Sequence, residues 1–233
     1  MFVVHCLCLA LCSLGKAFAF VKRLGEKMSN LDPNLKNLLD RSMELFNQSG
    51  ELLCRLAEKD ASELSATLGD ICAMDIVKYL MYLSASDGTI NWDEAQFIFD
   101  YLGYRLTPSQ MNQFIRDQNI YSTEFEQTPP GGLRLLVDVD NTIITKFGEN
   151  AGIDKYASES YLDLFRFIGQ AFMAADNDVD ENEKTDYTIY TNMIERFLDE
   201  NLLSRKSGVD AIAKDIGSSG IQQKNGVIAP KKR

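Results

Sequence analysis

Two acidic turns constrain this chain more than any other feature. Asp87-Gly88-Thr89-Ile90-Asn91-Trp92-Asp93-Glu94 and Asp176-Asn177-Asp178-Val179-Asp180-Glu181-Asn182-Glu183 match position for position at an offset of 89 residues. Asp pairs with Asp, Ile90 with Val179, Asn91 with Asp180 and Glu94 with Glu183. Each turn follows a long apolar helical pattern and precedes another. A helix–acidic turn–helix unit used twice points to a helical fold with an internal repeat, and it sets down two carboxylate clusters.

From Asp32 onward the apolar period is helical. Asp32-Pro33 reads as an N-cap followed by Pro at the first helical position. Leu35, Leu38, Leu39, Leu45 and Phe46 make one apolar face, which Leu52, Leu53 and Leu56 continue. Leu64, Leu68, Ile71, Ile76, Leu80 and Leu83 predict a second helix running into the first acidic turn. Trp92 to Leu102 follows, with Gly103 as its C-cap glycine. Thr107-Pro108-Ser109-Gln110 is a helix start with Pro at its first position. After the Pro129-Pro130-Gly131-Gly132 break come Leu133 to Ile144 and a polar loop. The row Tyr161, Leu164, Phe165, Ile168 and Phe172 then enters the second turn, and Ile189, Met193, Phe197, Leu198 and Leu202 leave it. The expected fold class is all-α, a compact multi-helix bundle over residues 28–203, with a polar tail over 204–233.

Residues 1–27 are read as an extension. Phe2 to Leu14 is apolar but shorter than the ~20 residues a spanning helix needs. Lys16, Lys22 and Arg23 follow the run instead of preceding it, the reverse of a secretory signal, although Ala17-Phe18-Ala19 offers a small-x-small site. Gly25-Glu26-Lys27-Met28 is what a purine-rich ribosome-binding sequence before a start codon would encode, so Met28 is the expected start. These readings give a cytoplasmic protein with no stable membrane span, membrane association through residues 2–14 being the alternative.

Charge and chemistry narrow the function. A formal charge of −10 disfavours nucleic acid as a partner, since that attraction needs clustered Lys and Arg. It suits cations or a basic protein surface. The single histidine, His5, lies in the extension, which removes Ser-His-Asp, Cys-His and His-ligated zinc chemistry from the body of the chain. Cys54 and Cys72 fall within helical patterns and read as small buried hydrophobes in a reducing compartment. The aromatic-rich rows Phe97, Phe99, Tyr101, Tyr104 and Phe165, Phe167, Phe172 read as core. Lys231-Lys232-Arg233 is too short a basic run to specify a partner.

The acidic turns admit two readings. Asn91 with Glu94, and Asp180 with Glu183, each fit a capping box, in which the cap oxygen takes an orphan helix amide and the Glu reaches back. Asp87 and Asp176 fit Asx turns. The sharper reading is a divalent cation, Ca²⁺ or Mg²⁺, held by Asp87, Glu94, Asp176, Asp178, Asp180 and Glu183. Asp176, Asp178 and Asp180 have the spacing of an EF-hand's first ligands, but Glu181 stands where that loop needs Gly and Tyr187 where it needs Glu. An ordinary EF-hand is therefore excluded. Asp178 is the carboxylate that capping explains least.

Ser84-Ala85-Ser86-Asp87-Gly88-Thr89-Ile90-Asn91-Trp92-Asp93-Glu94 and Ala174-Ala175-Asp176-Asn177-Asp178-Val179-Asp180-Glu181-Asn182-Glu183 together resemble the tellurite-resistance TerB family, which also occurs in DjlA-type co-chaperones. The resemblance covers about residues 32–203. It implies a compact helical domain with an internal repeat and an acidic face proposed to bind metal. It also implies a bacterial, non-enzymatic stress-response module acting through protein partners, by analogy an AAA-type ATPase. Asn177 replaces the family's Gly, and the stretch from Gln118 to Ser158 is longer than the family pattern.

A rival motif lies in that long stretch. Leu135-Leu136-Val137-Asp138-Val139-Asp140-Asn141-Thr142 resembles the first motif of haloacid-dehalogenase phosphatases, in which the first Asp would be nucleophile and the second general acid beside Mg²⁺. That chemistry needs the motif on the first strand of a sheet. The alternative is a helix with Leu133, Leu136, Val137, Asp140 and Ile144 near one face. A third reading is a purely structural adaptor whose turns are only caps.

Overall fold

The computed structural model describes residues 32–56, 66–86, 88, 90–148, 153–175 and 180–206. Among them are eight helices: α1 (Pro33–Leu56), α2 (Leu68–Ser84), α3 (Trp92–Leu102), α4 (Pro108–Asp117), α5 (Thr123–Gln127), α6 (Gly131–Phe147), α7 (Ala157–Met173) and α8 (Glu181–Asn201). No described residue is in a strand. No helix among them is long and apolar enough to cross a membrane.

Local chemistry sets most of these ends. Asp32 Oδ1 accepts the Asn34 amide at 2.8 Å and opens α1. Thr67 and Asp70 form a capping box that starts α2. Thr107 and Gln110 form another at α4, with Pro at the first turn. Gly103 ends α3 at φ 77°, a left-handed geometry that favours a residue without a Cβ.

The core is organised around α2 and α7, which run side by side in the same direction. Asp75 meets the Tyr161 hydroxyl at 3.2 Å. One turn on, Tyr79 stacks on Phe165 with ring centroids 5.1 Å apart. The Tyr79 hydroxyl then lies over Gly169, where an added Cβ would come within 2.2 Å of it. Contacts that climb both helices together put both C-terminal ends at one end of the bundle.

Each outgoing helix packs on the helix before it and also reaches the other member of this pair. Phe97 of α3 packs edge-on against Phe172 of α7 at 5.3 Å. Tyr190 of α8 packs against Tyr82 of α2 at 5.8 Å. α3 thus touches the last turn of α7, and α8 touches the last turn of α2. The long α1 covers the other side, with Phe46 against Tyr161 at 5.8 Å and Asn47 accepting the Gly69 amide at 3.0 Å. Phe46, Cys72, Ile76, Leu80, Tyr161, Phe165 and Ile168 are wholly buried. Each large apolar side chain removed from water in this way contributes about 1.5–3 kcal/mol.

Two features depart from the sequence reading. Phe167, read as core, is 54% exposed, because residues 165, 168 and 172 share a helix face that 167 leaves. The stretch from Gln118 to Ser158, longer than the family pattern, holds α6, the helix offered for Leu133 to Ile144, and also α5, which the sequence reading did not anticipate.

Candidate functional site at the acidic end

Both acidic turns end in the capping boxes that their spacing predicts. Asn91 Oδ1 accepts the Asp93 and Glu94 amides, each at 2.9 Å, and Glu94 Oε2 accepts the Asn91 amide at 2.7 Å. In the second turn Asp180 Oδ1 accepts the Asn182 amide at 2.6 Å, and Glu183 Oε2 accepts the Asp180 amide at 3.2 Å. Glu94 and Glu183 are both buried. A cap of this kind contributes about 1 kcal/mol, and carboxylates in the first turn also meet the positive end of the helix dipole. These four residues occupy equivalent places on α3 and α8.

Of the six residues expected to hold a cation, Glu94, Asp180 and Glu183 are therefore engaged with backbone amides. Asp87, Asp176 and Asp178 lie outside the described residues. Among the described residues no group of three or more His, Cys, Asp or Glu side chains is placed to hold a metal ion. Trp92, the only tryptophan, stands at the first helical position after the Asn91 cap and is 67% exposed.

The Asp138–Thr142 motif sits on α6, a helix, and not at the end of a strand. Leu133, Leu136, Val137, Asp140 and Ile144 are buried on its inner face, while Asp138 faces solvent. Asp140 reaches across to the start of α7, accepting the Ser158 amide at 2.8 Å and the Ala157 amide at 3.4 Å. Burial pushes the Asp140 carboxyl up, and its bonds from Ser158 and Ala157 work against that. Asn141 clamps the end of α8, donating to the Asn201 carbonyl at 2.9 Å and accepting the Leu203 amide at 2.9 Å. Thr142 donates to its own helix at the Asp138 carbonyl, 2.7 Å away. Asp138 thus lies within a helix instead of at the strand end that the phosphatase reading requires, and Asp140 and Asn141 are tied to helix ends.

Sequence reasoning passed over two polar sites. Asp75, in the middle of α2, is buried and accepts the Gly132 amide at 2.7 Å as well as the Tyr161 hydroxyl. Burial raises its pKa from 3.8 to about 6; the Gly132 bond, Lys78, the Tyr161 bond and Arg134 pull the other way. An added Cβ on Gly132 would lie 2.7 Å from Cys72 Sγ and 2.8 Å from Asp75 Oδ2, so only glycine lets α6 dock here. Burial, then the nearby Asp75, pushes the Cys72 thiol well up. The signal for this site was a lone carboxylate inside the apolar run Ile71-Cys72-Ala73-Met74-Asp75-Ile76-Val77. The second site ties α5 to α2, and the turn before α5 to α8. Tyr82 donates to Glu126 at 3.1 Å and Tyr121 donates to Asp186 at 3.0 Å.

No family model matches the chain, and no curated protein or solved structure matches it either.

Proposed function

We propose that the chain is a TerB-like, non-enzymatic stress-response module whose acidic end takes a divalent cation, Ca²⁺ or Mg²⁺, and engages a protein partner. The observation that supports this reading is that α2 and α7, the helices that lead into the two turns, run in the same direction and end at the same end of the bundle. The two turns end in matched capping boxes, which fits a duplicated helix–turn–helix unit. Carboxylates brought close together repel each other unless a cation or a basic surface offsets them. The tellurite-resistance setting and an AAA-type ATPase as partner come from the resemblance alone.

The test is calorimetry of the full chain with Ca²⁺ and with Mg²⁺, alongside Trp92 emission as a reporter at the first turn. A binding site gives saturable heat and a saturable change in emission. The Asp176→Asn, Glu183→Gln double variant then weakens binding beyond its effect on stability. No heat and no emission change at millimolar cation refutes the cation, and lower stability alone in the double variant assigns the turns to capping.

A further inference from the structure

A row of touching aromatic rings runs from the surface into the core. Tyr121 is 49% exposed. Its ring lies 5.5 Å from that of Tyr82, and Tyr82 lies 5.8 Å from Tyr190. Tyr190 faces Phe165 at 6.1 Å and 9°, and Phe165 lies 4.3 Å from the wholly buried Tyr161. Packing explains the rings. It does not explain the hydroxyls. Tyr121 donates to Asp186 at 3.0 Å, Tyr82 to Glu126 at 3.1 Å and Tyr161 to Asp75 at 3.2 Å. Tyr79, stacked on Tyr190 at 4.8 Å in the same cluster, has a buried hydroxyl with no hydrogen-bond partner.

A phenol that loses one electron becomes a strong acid, so a positioned base decides which tyrosines give up an electron readily. Hydroxyl bonds of this kind separate Tyr121, Tyr82 and Tyr161 from Tyr79. We propose that Tyr121, Tyr82 and Tyr161 form a relay that carries a one-electron oxidation from the surface into the core, with Asp186, Glu126 and Asp75 as their proton acceptors. The matching oxidant is a small diffusible radical such as nitrogen dioxide. Tyr121 passes one electron to it, yielding nitrite, and its phenolic proton moves to Asp186. Tyr82 then reduces the Tyr121 radical. The proton on Asp186 returns to Tyr121, and the Tyr82 proton moves to Glu126. The same exchange leaves the radical on Tyr161 and a proton on Asp75, with Tyr190 and Phe165 as the contact path between. One electron has left the protein, and the radical has left the exposed ring, where it would otherwise couple to a second molecule. Burial raises the pKa of both Asp75 and Asp186, which makes them better bases than ordinary carboxylates.

The experiment uses the full chain and photo-oxidised ruthenium tris-bipyridine as the one-electron oxidant. Tyrosyl radical is read by electron paramagnetic resonance, and dityrosine-linked dimer by fluorescence. Wild-type protein is expected to give a buried tyrosyl radical and little dityrosine. Tyr82→Phe removes the phenol that would reduce the Tyr121 radical, strands the radical there and raises dityrosine several-fold. Glu126→Gln keeps the side chain's shape and changes dityrosine in the same direction, so it decides the matter if circular dichroism shows Tyr82→Phe to be misfolded. Tyr79→Phe leaves the yield unchanged. The relay is overturned if Glu126→Gln gives the wild-type yield, or if Tyr79→Phe raises dityrosine as much as Tyr82→Phe does.

Discussion

The buried Asp75 makes a prediction whose sign is opposite to that of most carboxylates. Its pKa is raised from 3.8 to about 6 in the folded chain. The folded state therefore binds the Asp75 proton more tightly than the unfolded state does. The associated stability is fully present below about pH 4 and is lost as pH rises through about 6. About two pH units at about 1.4 kcal/mol each put the effect near 3 kcal/mol. Asp75→Asn removes the charge and keeps the shape. The Asn oxygen can still accept the Gly132 amide, and its nitrogen can donate to the Tyr161 hydroxyl, which rotates to accept. At pH 8 the variant should match or exceed wild type by up to about 3 kcal/mol, and the gap should close as pH falls toward 4. Asp75→Ala should follow the same pH trend but lie about 1–3 kcal/mol below Asp75→Asn at every pH, because the buried Gly132 amide loses its acceptor. Urea denaturation from pH 4 to pH 8, followed by circular dichroism, measures all three proteins. Taking the difference from wild type cancels the other titrating groups, which the proteins share. A gap between wild type and Asp75→Asn that does not vary with pH would refute the reasoning, as would one that widens toward acid.

Three further outcomes follow from the packing. Gly169→Ala drives a methyl group against the Tyr79 hydroxyl and the Tyr187 ring, and should cost about 1–3 kcal/mol in thermal or urea unfolding. Asp140→Ala leaves two amides at the start of α7 without their acceptor and should cost about 2–3 kcal/mol, whereas Asp138→Asn on the exposed face should stay within about 0.5 kcal/mol. Neither variant should alter hydrolysis of p-nitrophenyl phosphate; Mg²⁺-dependent turnover abolished by Asp138→Asn would restore the phosphatase reading.

Three helix starts were legible from a short side chain and a later acid or amide three residues apart. Asn91 with Glu94, Thr107 with Gln110 and Asp180 with Glu183 all form the boxes their spacing predicts. The C-cap at Gly103 was legible for a related reason, since glycine alone occupies that backbone region without strain. α5 was not legible, because Thr123–Gln127 is shorter than two turns and shows no period. The start of α2 was read too early, at Leu64, because an apolar period carries no information about where the cap falls. Thr67 and Asp70 set it instead.

The site was harder to read because a carboxylate's role depends on what folds against it. The sequence makes Asp138 and Asp140 look like a pair, yet one faces water and the other caps a helix from a neighbouring element. Helical geometry separates residues two apart by about 200°, so the spacing that unites them on a strand divides them on α6. The same geometry hid Asp75. Its partners, Gly132 and Tyr161, lie 57 and 86 residues away, beyond the reach of any local pattern. In the acidic turns the caps and the proposed cation draw on the same oxygens. A carboxylate oxygen carries more than one lone pair, so Glu94 and Glu183 can hold their amides and still face an ion. Capping and cation binding are therefore compatible, and the variants that separate them must test affinity and stability in the same protein.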